Sequence, residues 1–265
     1  MHKQIMHSES SETGKQPRYF VYSLAKGISI LKVFSQQTSL LSLTEVAHLN
    51  RMNLPTASRY LRTLTDLGYL ILDPSTKKYL LTNKVLALGL GFLHNMDLRM
   101  RVHPYLVNLS REFNVSAQCA ILDETDIVFV ERTRGTGLVD FDLTAGSRLP
   151  SYCTAMGRAI LAHLDPERAA LLIDQMDLKA RTPFTITSKQ KLLAELDRTR
   201  RQGYAQNIQE VTLGYVNYAV PVFNNGKVES AIGASFSLAQ RKGDRFVPAL
   251  IAKLLKASRE VSVAF

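Results

Sequence analysis

Apolar residues in the first third of the chain recur at helical intervals. In SLAKGISILKVFSQ the positions Leu24, Ile28, Leu31 and Phe34 stand three or four apart, which predicts a first helix with Ser23 placed to cap it. Over LLSLTEVAHLNRMNLPTASRYLRTLTDLGYLILD, Ser42 or Leu43 opens a short helix that turns Val46 and Ala47 inward, and a tight turn follows at residues 50–52. Asn53 caps a second helix running from Leu54 to Leu67, with Pro55 in its first turn. Its inward stripe is Ala57, Tyr60, Leu61, Leu64 and Leu67, leaving Thr56, Ser58, Arg59, Arg62 and Thr63 outside. Gly68 supplies a left-handed end. YLILD and KYLLT then alternate like strands around Pro74, Ser75, Thr76 and Lys77, a hairpin.

Beyond Thr82 the pattern changes. Val85, Leu86, Leu88, Leu90, Phe92 and Leu93 spread over more than one helical stripe, so this linking helix is buried on more than one side, by its own chain or by a second subunit. A helix over VHPYLVNLSREFN leads into strand-like SAQCAIL, DIVFVER and LVDFDL, then a helix at CTAMGRAILAHL. Asp165 and Pro166 open a further helix, and Ser188 and Gly203 bound another. NYAVPVF and KVESAIGASFSL flank Asn224, Asn225 and Gly226, a hairpin turn. The fold class expected is α+β: a polar, disordered tail over residues 1–18, a helical unit with a hairpin over 19–83, a linking helix over 84–98 and an antiparallel sheet with helices over 99–265.

Helix, two helices across a short turn, then hairpin is the order of a winged helix-turn-helix, whose second paired helix enters the major groove of DNA. Asn53, Thr56, Ser58, Arg59 and Arg62 suit base edges and phosphates, and Lys77 and Lys78 at the wing tip suit flanking phosphates. A purely structural helix pair is the alternative, and the order of elements argues against it. Arg51 stands where such turns usually have glycine, so a distorted turn is expected.

Charge supports the DNA reading. The chain carries a net +10, and residues 1–100 hold twelve Lys or Arg against six Asp or Glu, the more basic part per residue. Two cysteines and six histidines without CxxC or HExxH spacing suggest no disulfide framework, metal or cofactor, and fit a reducing cytoplasm. No apolar run is long enough to span a membrane. GxSxG and phosphate-binding glycine loops are missing, so an enzyme is not expected; Cys153, at a helix start, is either a low-pKa thiol or a buried cap residue.

In the last strand Val228, Ser230, Ile232, Ala234 and Phe236 face one way and Ala231, Gly233, Ser235 and Ser237 the other. A face of small residues leaves space for a ligand or admits a closely packed helix; alternation alone does not choose. The Thr154 cap before Ala155, Met156 and Gly157 offers free backbone N–H groups to a carboxylate, and Arg134, Arg148 and Arg158 are candidate cations.

From about Tyr22 onward the chain resembles the IclR family of regulators. The carriers are SLAKGISIL, LTEVAHLNRMNLPTASRYLRTLTDLGYL, LALGLGFL, HPYLVNLSREF, GSRLPSYCTAMGRAILAHL and GYAQNIQEVTLGYVNYAVPVF, in that order. The resemblance implies a winged helix-turn-helix on an operator in double-stranded DNA, a homodimer joined through the linking helix and often paired into a tetramer, and a GAF-like effector domain. By motif position it places the effector pocket on Leu138, Leu149, Ala155, Met156, Asn207, Tyr215, Asn217, Ser235 and Ser237. Asn207 departs from a frequent Asp, and Tyr215 and Asn217 from smaller groups. RLPSYCTAMGRAILA resembles the subgroup controlling aromatic-acid catabolism, which implies an aromatic or dicarboxylic acid effector. The rival function is a ligand-independent architectural DNA-binding or interaction protein.

Overall fold

The computed structural model describes residues 19–34, 40–85, 87, 97–135, 143–240 and 243–262. The tail, most of the linking helix and the LVDFDL segment up to Asp142 lie outside the described residues, Leu138 among them. The chain divides into two compact units, residues 1–92 and 93–265.

The first unit contains α1 (Tyr22–Val33), α2 (Leu43–Leu49), α3 (Leu54–Asp66) and a hairpin of β1 (Leu70–Leu72) and β2 (Tyr79–Leu81). Ser42 and Glu45 form a reciprocal capping box on α2, and the Asn53 side chain accepts from the Thr56 N–H to start α3. Ala47 and Ala57 are buried where α2 and α3 meet, small enough for the helices to approach. Ile30, Phe34, Leu41, Val46, Leu61, Leu64 and Leu70 form the core.

Three details differ from the pattern-based expectation. Val21, not Ser23, occupies the α1 cap position, and Ser23 lies inside the helix. Leu24 and Ile28 are exposed while Ile30 and Phe34 are buried, because α1 turns a neighbouring stripe inward. Leu67 is the cap residue of α3 and is exposed, so the inward stripe ends at Leu64. The α2–α3 turn is intact despite its missing glycine: Arg51 adopts φ +51°, and the Met52 N–H reaches the Ala47 carbonyl at 3.0 Å. The left-handed arginine costs on the order of 1 kcal/mol, which the surrounding hydrogen bonds offset.

The described part of the second unit begins with α4 (Asp97–Phe113), five residues earlier than the VHPYLVNLSREFN pattern suggests, with Leu98 already in the core. There follow β3 (Ser116–Asp123), β4 (Asp126–Thr133), β5 (Arg148–Pro150), a 3-10 turn (Ser151–Cys153), α5 (Ala155–Leu161), α6 (Pro166–Gln175), α7 (Lys189–Gln202), β6 (Ala205–Ile208), β7 (Tyr215–Asn224), β8 (Lys227–Ser237) and α8 (Phe246–Val261). The strands make one antiparallel sheet ordered β5-β4-β3-β8-β7-β6. The architecture is α+β.

Helices α4 and α8 cover one sheet face through Leu106, Leu109, Leu250 and Leu254 against Val220, Ile232 and Phe236. The other face meets α5 through Ala120, Ala155, Met156, Ala159, Ala219 and Ala231. Gly157 is required there: a Cβ would lie 2.3 Å from the Ser151 carbonyl oxygen. Asn225 and Gly226 take φ +51° and +73°, the turn that Asn-Gly favours. A register shift between Val222 and Phe223 moves Val228 to the α5 side, away from Ile232 and its neighbours.

Candidate functional site

In the first unit Arg59, Arg62 and Thr63 are exposed on α3, with Thr56 and Ser58 half-buried beside them. Asn53 spends its side-chain oxygen on the Thr56 N–H, so it positions the helix start and keeps only its amide nitrogen for outside contacts. Arg51, Arg59, Arg62 and Lys77 make no ion pair among the described residues, whereas Lys78 leans 3.8 Å from the Glu45 carboxylate on α2. The wing turn is held by Asp73, whose carboxylate accepts from the Ser75 hydroxyl at 2.6 Å and from the N–H groups of Ser75 and Thr76. Those bonds, the Ser75 hydroxyl first, hold its pKa down to about 2. Lys77 follows with φ +56°.

In the second unit a cavity of about 270 Å³ opens between the α5 face of the sheet and the loops around it. Ile127, Phe129, Leu143, Leu149, Met156 and Val211 give it apolar walls. A polar row crosses three strands in register, Asn207 beside Asn217 beside Ser235, and the Ser235 hydroxyl accepts from Gln118 Nε2 at 2.9 Å. Arg132 and Arg181 line it as well, and among the described residues no carboxylate does.

Small residues on β8 serve both purposes that the alternation left open. Met156 packs over Gly233, where a Cβ would lie 3.2 Å from its Cγ and 2.9 Å from the Tyr218 carbonyl oxygen. Two residues on, Ser235 faces open space.

Of the nine residues placed by motif position, Leu149, Ala155, Met156, Asn207, Tyr215, Asn217 and Ser235 line this cavity. Ser237 does not: at the strand end its N–H and hydroxyl both reach Gln240 Oε1. Asn207 is buried, and its amide donates to the Cys153 carbonyl and accepts from the Glu210 N–H, so it shapes the wall. Thr154 caps α5 by accepting from the Gly157 N–H, but the helix has only seven residues, too short a dipole to anchor a carboxylate alone.

None of the three arginines first considered lines the cavity. Arg158 is buried and grips Glu210, and Arg148 is paired with Asp123 and Asp126 on the sheet edge. Arg134 lies in the loop after β4. Arg132 faces inward because a bulge between Cys119 and Ala120 leaves Val130 unpaired and reverses the parity of β4. Burial pushes the Cys153 thiol up to about 11 and the Cys119 thiol up to about 12, so Cys153 is a buried structural thiol. The unfolded chain releases these protons near pH 9. Both thiols therefore favour the fold below that pH and destabilise it as pH rises above. At pH 8 a thiol of pKa 11 is about one part in a thousand thiolate, so iodoacetamide labels neither cysteine until the protein is unfolded, as intact mass will report.

Two family models match in tandem: the IclR helix-turn-helix domain over residues 23–74 and the bacterial transcriptional regulator IclR C-terminal domain over residues 90–263. The chain belongs to the IclR family. This IclR-family protein is a DNA-binding transcription regulator, and the family's members are regulators and not enzymes. It is 32% identical over 244 residues to the Pca regulon regulatory protein of Pseudomonas putida, covering 91% of this chain and 83% of that one. It is also 32% identical to the p-hydroxybenzoate hydroxylase transcriptional activator of Acinetobacter baylyi, covering 84% and 83%. Among solved structures, an IclR transcriptional regulator from Alicyclobacillus acidocaldarius matches with TM-score 0.80 and 26% identity, covering 92% and 98%. Among the described residues no helix is long and apolar enough to cross a membrane.

Proposed function

We propose that this IclR-family regulator senses a small carboxylic acid of aromatic-compound breakdown, bound in the cavity of its second unit, and that occupancy changes how the first unit holds its operator. The observation that carries the reading is the cavity lining: apolar walls for a ring or short chain, a polar row to orient it, and arginines with no carboxylate among the described residues. The names of the two relatives at 32% identity point to aromatic-acid metabolism. DNA is read by Thr56, Ser58, Arg59 and Arg62 from α3, with Lys77 and Lys78 on flanking phosphates. The protein works in the cytoplasm as a homodimer, or a pair of dimers, whose two reading heads meet half-sites about one DNA turn apart.

The test is a thermal-shift screen of the full chain against protocatechuate, 4-hydroxybenzoate, muconate, β-ketoadipate, pyruvate and glyoxylate. A ligand at one hundred times its Kd stabilises the native state by about 2.7 kcal/mol. We expect a saturable rise with one class of acid, carried by the second unit's transition and coupled to altered operator affinity. A chain that no acid stabilises, yet that binds DNA, overturns the acid-sensing reading and leaves another ligand class or an architectural DNA-binding role.

A further inference from the structure

Arg181 lines the cavity, is exposed, and makes no ion pair or guanidinium hydrogen bond among the described residues. The other arginines here are engaged: Arg132 donates to the Leu143 carbonyl at 2.5 Å, and Arg158 and Arg148 hold carboxylates.

The backbone beneath Arg181 is fixed. Thr185 Oγ1 accepts from the N–H groups of Arg181 and Thr182, at 3.0 Å each, and donates to the Glu210 carbonyl at 2.6 Å. Thr182 Oγ1 donates to the Gln209 carbonyl at 2.7 Å. Two hydroxyls thus fasten the Arg181 segment to the strap from which Val211 and Thr212 reach the same cavity. The charge is also felt at Cys153, next in sequence to the lining residue Thr154. Desolvation raises the Cys153 thiol, and the Arg181 guanidinium is the largest charge opposing that rise, just before Thr154, Ala155 and Met156.

We propose that Arg181 reads the negative charge of the cavity's ligand: its guanidinium takes the carboxylate of the bound acid as a bidentate pair, and the Thr182–Thr185 clamp positions the segment that presents it. The inference rests on the acid-sensing reading above. It orients the ligand, carboxylate on Arg181 and apolar body against Ile127, Phe129 and Met156. It also makes charge, not shape, the basis of selection against neutral analogues.

The test is calorimetric titration of the full chain, native and Arg181→Gln or Arg181→Lys, with each acid of the panel and the primary amide of the same body, for example 4-hydroxybenzoate and 4-hydroxybenzamide. Arg181 is exposed, so both variants keep the native melting temperature. We expect Arg181→Gln to weaken the acid ten- to a hundredfold and leave the amide unchanged, and Arg181→Lys to keep part of the acid's advantage. Thr185→Val weakens the acid alone by a smaller factor, and Thr185→Ser, which keeps the hydroxyl, restores it. If Arg181→Gln binds an acid as tightly as the native chain, Arg181 does not read charge and the acid-sensing reading stands. If acid and amide weaken together, the residue acts on shape and the proposal is wrong. If no acid binds the native chain, both fall.

Discussion

Replacing Arg59 and Arg62 together by alanine lowers operator affinity by about thirtyfold or more while leaving thermal stability within about half a kcal/mol of native. Stability is spared because both guanidiniums are exposed on α3 and have no ion-pair partner among the described residues, so truncation breaks nothing inside the fold. Affinity is not spared, because an arginine seated on guanine or on a phosphate of the bound duplex carries about 1–3 kcal/mol. The single variants separate the two roles. A phosphate contact, when lost, weakens all sequences alike and reduces the slope of log K against log salt by about one; a base contact, when lost, relaxes preference at one base pair. Lys78→Ala has the smaller effect, since that ammonium is drawn toward Glu45. The measurement is fluorescence anisotropy over a salt series, on a duplex selected by the native protein from a random pool. A double variant that binds this duplex like the native chain removes α3 as the reading helix.

Legibility in the sequence followed the locality of the cause. Capping at Ser42, Asn53, Thr154 and Asp165 is decided within three or four residues, and these side chains do accept from their helix-start N–H groups. Ser23 and Ser188 have the right residue type without the bond, because cap geometry depends on how the preceding chain enters. Alternation along β8 places Ala231, Gly233 and Ser235 on one face from residue type alone. It fails at Val228, where an irregularity in pairing with β7 shifts the parity, as the bulge between β3 and β4 does at Arg132. β5 and β6, three and four residues long, gave no periodic signal before their partners were known. The apolar spacing of Phe246, Leu250, Leu254, Ala257 and Val261 carries the signature of α8. Arg181 had no local signal: its loop is shaped by Thr182 and Thr185 reaching Gln209 and Glu210.

Glu210→Ala destabilises the second unit by about 3–5 kcal/mol and lowers its melting temperature by roughly 10 °C. The reason is the partner left behind. Arg158 is 1% exposed, an arginine in a protein does not shed its charge, and both carboxylate oxygens of Glu210 face its guanidinium, with Nη1 to Oε1 at 2.6 Å. The remaining acceptors, the carbonyls of Tyr152 and Gln206, are dipoles and do not replace a counter-charge. Glu210 Oε2 also accepts from the Ile186 N–H at 3.1 Å, so the same truncation frees the loop end beside the Thr182–Thr185 clamp. Ligand affinity then falls together with stability, unlike the selective loss expected at Arg181. Two further variants separate charge from packing. Glu210→Gln keeps the shape and one acceptor oxygen and loses less, and Arg158→Met with Glu210→Leu removes both charges and regains most of the stability. Thermal melts of the four proteins decide it: a Glu210→Ala melting temperature within about 2 °C of native shows that water or another group compensates Arg158, and that the pair is not what fixes the cavity wall.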